Sequence, residues 1–188
     1  MLKNQPGFSR YLVLHSIGQP GLCALSIRWE DRAAGEAWRL GGDLAAFFRE
    51  YNTTELVVPV VAPIASEVVY DGFDASAPPK AVAANVWNCD VSLGAASEFV
   101  DGRKRFLDLL KQHAEGYVGG TLLRSLRDSR RVAVLHGVEE SDTLLSHAAE
   151  LDNPAIVEFL RQDPVSNFTA SLGSVDFSRW EVTLRVTP

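Results

Sequence analysis

The stretch "IRWEDRAAGEAW" at residues 27–38 joins a strand-like run to a helix-like run, and the fold prediction starts from it. Its apolar run ends at a tryptophan, two acidic residues follow, and a second tryptophan, Trp38, closes the stretch. Residues 136–147, "HGVEESDTLLSH", have the same layout, with a valine in place of the first tryptophan and His147 in place of Trp38. The sequence therefore contains an internal repeat that is weak in identity and consistent in order.

The bulk composition is that of a soluble globular protein. The chain has 188 residues, which suits one large domain or two small ones, with 46% hydrophobic and 22% charged residues. The net charge is −6 and the longest basic run is "GRKR" at 102–105, so neither a nucleic acid nor an anionic membrane is expected as a partner. No apolar run reaches the roughly 18–20 residues that a membrane span needs.

The cysteines and the absence of several sequence motifs limit the cofactor and metal chemistry that we expect. Cys23 and Cys89 form no CxxC pair, and we interpret them as reduced, buried side chains of a cytoplasmic protein. The chain lacks the Walker A, GxGxxG, HExxH and GxSxG motifs. Its four histidines show no metal-ligand spacing. We therefore expect neither a cofactor nor a metal.

The N-terminal part, residues 1–75, is predicted to have the order β-β-α-β-β. Its helix begins near Asp31, is interrupted at Gly41-Gly42, and continues from Asp43. The first tryptophan of the opening stretch is expected to end a central strand, and Trp38 to reach back to it from a helix that crosses the sheet. The strands are predicted at 11–17, 22–29, 55–62 and 66–73.

The C-terminal part, residues 80–188, is predicted to have the order β-α-β-β-α-β-β. One helix covers 95–114, and a second starts near Glu140 and breaks at Asn153-Pro154, where the asparagine caps a new segment. The glycines of "GYVGG" at 116–120 favour a bulged strand over a phosphate-binding loop, because no helix follows them. The strands are predicted at 81–92, 116–126, 131–138, 167–173 and 179–186.

The two element orders together predict the fold class. The order β-α-β-β-α-β is the ferredoxin-like plan, an antiparallel sheet with helices on one face. Such a sheet leaves its other face uncovered, and a second copy can cover it. We therefore predict an α+β protein with two ferredoxin-like units, an abridged one at 1–75 and a complete one at 80–188, packed as a pseudo-dimeric α+β barrel.

A strand ending in Trp-Glu, followed by an acidic, alanine-rich helix that closes near a Trp or His, resembles the antibiotic biosynthesis monooxygenase (ABM) family of dimeric α+β barrels. The resemblance covers residues 82–188 as a whole unit and about 10–72 as an abridged one. It implies a pocket between each sheet and its helices. Some members are cofactor-independent oxygenases that convert polyketide-derived anthrones and phenols to quinones, some degrade haem, and many have no known activity.

The resemblance also argues against haem. The haem-degrading members place an axial histidine about ten residues beyond the helix tryptophan. In this sequence the corresponding positions hold Phe48 and Val157, and no histidine follows His147. Haem is therefore not expected as a ligand.

Oxygenation without a cofactor requires hydrogen-bond donors near a substrate oxyanion, a base, and a dry aromatic pocket. Asn85 and Trp87 lie two residues apart on one predicted strand and share a face, while Asn88 points the other way. An asparagine near this position resembles the polar residue that active ABM members carry on their first strand. We predict a catalytic role for these two residues and for His136 or His147, since histidine titrates nearest neutral pH. The substrate-binding candidates are Trp38, Tyr117 and Arg124.

The predicted function is a cofactor-independent oxygenase acting on an aromatic, polyketide-like substrate with molecular oxygen. A non-catalytic barrel that binds a small hydrophobic ligand or serves in an assembly is the alternative from another class. An isomerase or cyclase on the same fold is a third hypothesis, and the sequence does not distinguish it from the oxygenase. A homodimer is possible, because missing N-terminal elements leave a sheet edge to pair.

Overall fold

The computed structural model describes residues 2–41, 46, 64–73, 83–92, 94–140, 153–162 and 172–186. The chain divides into two compact units. The first contains Met1–Leu14, Cys23–Ile64 and Thr183–Pro188, and the second contains His15–Leu22 and Ala65–Val182. Among the helices that are described, none combines the length and the apolar character of a membrane span.

The first unit is built on a pair of strands and one helix. β1 (Phe8–Ser16) and β2 (Cys23–Trp29) are neighbouring strands, and α1 (Arg32–Leu40) follows them directly. Asp31 caps the helix, because its carboxylate accepts a hydrogen bond of 2.8 Å from the backbone N–H of Ala34. The predicted helix start is confirmed.

The tryptophans of the opening stretch lie in contact in this unit. The ring centres of Trp29 and Trp38 are 5.3 Å apart, and Phe8 meets Trp29 edge-on at 6.0 Å. Gly35 allows α1 to approach the strand closely, since a Cβ at this position would lie 3.1 Å from the indole of Trp29. The predicted contact between the two tryptophans is confirmed, and with Tyr11 they belong to an apolar core.

The second unit has the ferredoxin-like order. Its elements are β3 (Ser66–Asp71), β4 (Ala83–Val91), α2 (Ala96–His113), β5 (Tyr117–Ser125), β6 (Arg131–Val138), α3 (Pro154–Gln162) and β7 (Leu172–Val186). From β4 onward the chain runs β-α-β-β-α-β, and the strands lie in the order β7-β4-β6-β5, with β3 added beside β5. The strand pairs β4–β6, β4–β7, β5–β6 and β3–β5 are antiparallel.

One apolar core lies between this sheet and its two helices. The odd-numbered residues of β4 and the even-numbered residues of β6 face it, because side chains alternate along a strand. In α2 the core residues recur three or four positions apart, which places them on one face of the helix. The fully or almost fully buried members are Ala83, Cys89, Val91, Phe99, Leu107, Leu110, Leu122, Val132, Val134, Val138 and Ile156.

The start of α3 confirms the predicted cap. Asn153 Oδ1 accepts a hydrogen bond of 2.9 Å from the backbone N–H of Ala155, and Pro154 occupies the first helical position. A proline costs nothing at this position, since the first N–H groups of a helix have no intrahelical acceptor.

The prediction of two strands after α3 is wrong. The sequence predicts separate strands at 167–173 and 179–186, whereas Leu172–Val186 is one continuous strand. The cause is tertiary, because residues 176–178 in the predicted gap pair with residues 86–88 of β4. The ladder with β4 satisfies the backbone of this segment, so the strand continues through it.

Several predicted features lie outside the described residues. These are most of the helical segment that begins at Asp43, the strand at 55–62, the helix through 141–152 and the strand residues 167–171. β3, predicted as the last strand of the N-terminal part, pairs with β5 in the second unit. The packing of two ferredoxin-like units as a pseudo-dimeric barrel stays a prediction.

Replacing Ile156 by alanine is expected to lower the free energy of unfolding by about 2–5 kcal/mol, because the fully buried side chain leaves a cavity. Val157 is the next residue of α3 and is 44% exposed, so Val157→Ala is expected to change the same quantity by at most about 0.5 kcal/mol. Urea unfolding of wild type and both variants makes the comparison. Equal losses would contradict the burial of this face of α3.

Candidate functional site

A bulge at the start of β5 turns one tyrosine toward the helices. Tyr117 is opposite Val138 of β6, whereas Gly120 is opposite His136, so two residues of β5 stand against one of β6. The extra residue brings Tyr117 onto the face that His136 occupies, where regular alternation would point it away. The predicted bulge in "GYVGG" is confirmed.

Three polar residues form a row across the sheet. Asn85 of β4 is opposite His136 of β6 on one side and opposite Arg179 of β7 on the other. Residues directly opposite each other on antiparallel strands point to the same face, with Cβ atoms about 4.5–5.5 Å apart. Arg179, Asn85 and His136, here called the polar row, therefore present a guanidinium, an amide and an imidazole on the face that the helices cover.

Gly120 makes room for a fourth polar group beside the row. A Cβ at Gly120 would lie 2.5 Å from Tyr117 Oη and 2.8 Å from Leu107 Cδ2. The ring centre of Tyr117 is 5.9 Å from that of His136. The phenol therefore lies over the position where any other residue would place a side chain.

Two members of the polar row, Asn85 and His136, are buried, and Arg179 is partly exposed. Asn85 is fully buried and His136 is 6% exposed, and each interacts with other groups of the protein. The Phe106 ring lies 6.5 Å from the His136 ring and stacks on Phe159 at 6.1 Å. Trp87 shares the face of Asn85 and is partly exposed, while Asn88 is exposed on the other face, as predicted. Polar groups in such a dry setting interact more strongly than in water.

Arg103 is a buried charge that the sequence prediction missed. It is 3% exposed, and its guanidinium carbon lies 5.3 Å from the ring centre of Phe99 and 5.2 Å from that of Phe106. This is cation–π geometry on two rings. Arg103 follows Phe99 by one helical turn and precedes Leu107 by another, so its spacing placed it in the apolar stripe of α2. Because Arg103 also lies inside the basic run 102–105, its helical spacing did not lead to a prediction of burial.

The charge of Arg103 affects the pKa of a cysteine on β4. Burial raises the pKa of the Cys89 thiol to about 11, and the positive charge of Arg103 opposes that rise. Cys89 is on β4, four residues beyond Asn85. Arg103 and the polar row thus belong to the same helix-facing side of the sheet.

The other predicted site residues lie elsewhere. Arg124, near the end of β5, forms an ion pair of 2.6 Å with Glu67 of β3. Trp38 belongs to the core of the first unit. His147 lies outside the described residues. The structure therefore brings together Asn85, His136, Tyr117 and Trp87 from the predicted set.

Within the described part of the chain, no three or more His, Cys, Asp or Glu side chains are grouped so as to hold a metal ion. What the polar row offers is acid–base and electrostatic chemistry. An amide, which can donate hydrogen bonds, lies between an imidazole and a guanidinium, and aromatic rings lie near the imidazole. Such an arrangement suits proton removal from an aromatic molecule and stabilisation of the resulting anion.

The family model described as antibiotic biosynthesis monooxygenase matches residues 1–50. Solved structures that share the fold extend over nearly the whole chain. A presumed monooxygenase of Lactobacillus acidophilus NCFM superposes with a TM-score of 0.68 at 10% identity, over 97% of this chain and 80% of that one. The predicted resemblance to the ABM family is confirmed.

Two further solved structures share the ABM-like fold. A presumed monooxygenase of Fusobacterium nucleatum has a TM-score of 0.68 at 11% identity, over 100% of this chain and 81% of that one. An anthrone oxidase-like protein has a TM-score of 0.64 at 14% identity, over 97% of this chain and 80% of that one. No curated protein sequence matches the chain. At these identities the likeness is one of fold, and the residues of the polar row lie beyond the segment that the ABM model matches.

Gly120→Ala is expected to lower the free energy of unfolding by about 1–3 kcal/mol, because the new methyl group overlaps Tyr117 Oη and Leu107. Gly18→Ala is the control, since a Cβ there meets nothing within 4 Å and its effect should be small. In a Tyr117→Phe background the loss from Gly120→Ala should shrink, because one of the overlapping atoms is gone. An unchanged loss in that background would show that the hydroxyl does not lie over Gly120.

Cys89 is expected to react with a disulfide reagent at pH 8 at least about tenfold more slowly than Cys23, because its raised pKa and its burial keep the thiolate scarce and inaccessible. The variants Cys23→Ser and Cys89→Ser report the two rates separately, and in urea the rates should become similar. Equal rates in the native protein would contradict the closed environment beside Arg103.

Proposed function

We propose that this protein is a cofactor-independent oxygenase that acts on an aromatic, polyketide-like substrate such as an anthrone or a phenol. The polar row is the observation that carries the proposal. It places a candidate base, His136, next to the Asn85 amide, with the Arg179 guanidinium on the other side of that amide and an aromatic ring near the imidazole. The fold supports the same class of reaction, because a protein described as anthrone oxidase-like shares it.

Each member of the row has a distinct task. His136 removes the proton that converts the substrate to its enolate or phenolate. The amide of Asn85 and the indole N–H of Trp87 donate hydrogen bonds to the oxygen that gains negative charge, and Arg179 adds a positive charge beside them. Tyr117 binds the substrate next to His136, while Phe106 flanks its ring. The dry surroundings strengthen these interactions where the anion develops.

The anion supplies the electrons for the reaction with oxygen. With an anthrone, the deprotonated methylene carbon forms a bond to one atom of O2. Cleavage of the O–O bond then leaves that atom as the new quinone carbonyl oxygen. The second oxygen atom departs as water with the two hydrogens of the original methylene. The substrate is oxidised and oxygen reduced, so no metal, flavin or haem enters the balance.

Oxygen uptake with a reduced anthrone tests this proposal. Wild type should consume one O2 per quinone formed. Asn85→Ala should lower kcat/KM by about 10²–10³-fold, through loss of an oxyanion donor, and His136→Gln by about 10²–10⁴-fold, through loss of the base. His147→Ala belongs in the same series, because it tests the other predicted base.

Matched controls lie on the same elements. Asn88→Ala removes the same side chain from the opposite, exposed face of β4, and His113→Gln removes an exposed histidine at the end of α2. Both should keep wild-type rates. Absence of uptake with every phenolic substrate would remove the oxygenase proposal. Product formation without oxygen would instead identify an isomerase or cyclase, and tight binding without turnover a ligand-binding protein.

A further inference from the structure

The segment 71–73, at the end of β3, packs against the bulge of β5. The backbone N–H of Gly72 donates a hydrogen bond of 2.8 Å to the carbonyl oxygen of Gly120. At Gly119 an added Cβ would lie 2.9 Å from the carbonyl oxygen of Gly72 and 3.1 Å from two atoms of Phe73. Both glycines of the bulge are therefore in close contact with this segment.

Two long side chains attach β3 and the segment 71–73 to α2. The hydroxyl of Tyr70 donates a hydrogen bond to a carboxylate oxygen of Asp108. The ammonium group of Lys111 donates a hydrogen bond of 2.8 Å to the carbonyl oxygen of Gly72. Asp108 and Lys111 are three residues apart on α2 and so lie on the same side of the helix. These two hydrogen bonds are here called the clasp.

The donor of the first hydrogen bond of the clasp keeps its proton over a wide pH range. Burial and the hydrogen bond to Asp108 raise the pKa of Tyr70 to about 12. The hydroxyl therefore remains a donor at neutral and at moderately alkaline pH, so the clasp does not depend on pH within that range.

A third contact attaches the same segment on the other face of the sheet. Thr121, which is 4% exposed, donates a hydrogen bond of 3.1 Å from its hydroxyl to Asp71 Oδ1. Thr121 follows Gly120 on β5, and successive residues of a strand point to opposite faces. The segment 71–73 is therefore attached to the protein on both faces of the sheet, at the level of the bulge.

The position of Tyr117 depends on the bulge that these contacts support. Its hydroxyl lies over Gly120, and its ring centre is 5.9 Å from that of His136. Gly119 has a φ of 154°, and a glycine leaves such a conformation for others at little energetic cost. Contacts from outside β5 are therefore needed to hold the bulge in the form that places the phenol beside the imidazole.

We propose that Tyr70 is a positioning residue for the candidate site, which acts through the clasp on Tyr117. The inference rests on the proposed function, which assigns substrate binding to Tyr117. With the clasp intact, the phenol of Tyr117 is held in one orientation beside His136 before the substrate arrives. Without the clasp the bulge samples other backbone conformations, and Tyr117 has to become ordered when the substrate binds, at a cost in affinity.

The ring motion of Tyr117 tests the inference without any substrate. In protein labelled with tyrosine that carries ¹³C at the ε positions, Tyr117→Phe identifies the signals of Tyr117 by their loss. The rate at which the ring flips follows from line shapes or relaxation dispersion. Tyr70→Phe is expected to raise this rate about fivefold, the factor that corresponds to the loss of one ordinary hydrogen bond. Lys111→Met removes the other hydrogen bond of the clasp and should act in the same direction.

Glu67→Gln is the matched control. The Glu67 carboxylate forms an ion pair with Arg124, so it also links β3 to β5, but at the end of the strand pair remote from the bulge. This variant should leave the flip rate of Tyr117 within about twofold of wild type, because a partly exposed ion pair contributes little. If Tyr70→Phe does not fold, Lys111→Met takes its place in the comparison.

Turnover provides a second measurement that a general loss of stability would not reproduce. With a reduced anthrone, Tyr70→Phe should raise KM about fivefold and leave kcat nearly unchanged, because Tyr117 contributes to substrate binding. In a Tyr117→Phe background the same substitution should have no further effect on KM, since the two residues act as a unit.

A flip rate that is unchanged in Tyr70→Phe, or that rises equally in Glu67→Gln, would overturn the inference. The two proposals fail separately. Faster flipping of Tyr117 in Tyr70→Phe, together with no oxygen uptake by any anthrone, would leave the positioning contact and remove the oxygenase. Oxygen uptake together with an unchanged flip rate would remove the positioning role and leave the oxygenase.

Discussion

The register of β4 against β6 is the constraint on which the candidate site depends. It sets Asn85 directly beside His136 and, through the pairing of β4 with β7, beside Arg179. A slip of one residue would turn these side chains to the opposite face together with Cys89 and Val91, and it would bring Asn88 and Asp90 under the helices. The apolar residues of β4 and β6 on either side of the row hold the register, because they must face α2 and α3. The site is therefore fixed by the same burial that stabilises the second unit.

Glycines fix the position of Tyr117, just as the strand register fixes the positions of the polar row. The bulge in β5 changes the face on which the tyrosine lies, and Gly120 leaves the space that its hydroxyl occupies. A buried polar cluster of this kind is costly unless its members satisfy one another or a ligand. Asn85 and His136 therefore need partners of this kind, because they occupy buried positions that aliphatic residues would fill more favourably.

Local signals in the sequence predicted most of the second unit. Alternation gave the shared face of Asn85 and Trp87, helical spacing gave α2, and a proline after an asparagine gave the start of α3. Long-range pairing was beyond such signals. Arg179 is far from Asn85 along the chain, so nothing local indicated their contact, and the single β7 strand depends on its ladder with β4. Arg103 could have been predicted from its helical spacing, but it lies within the basic run 102–105, which favoured a surface position.

The central claim is that an aromatic ligand places its reactive oxygen at the polar row. A crystal structure of the protein with a bound hydroxyanthraquinone tests this most directly. The account predicts a ligand oxygen within about 3.2 Å of the Asn85 amide, with His136 on the same edge of the ring. A ligand bound only at other surfaces, with Asn85 and His136 closed off from it, would contradict the account.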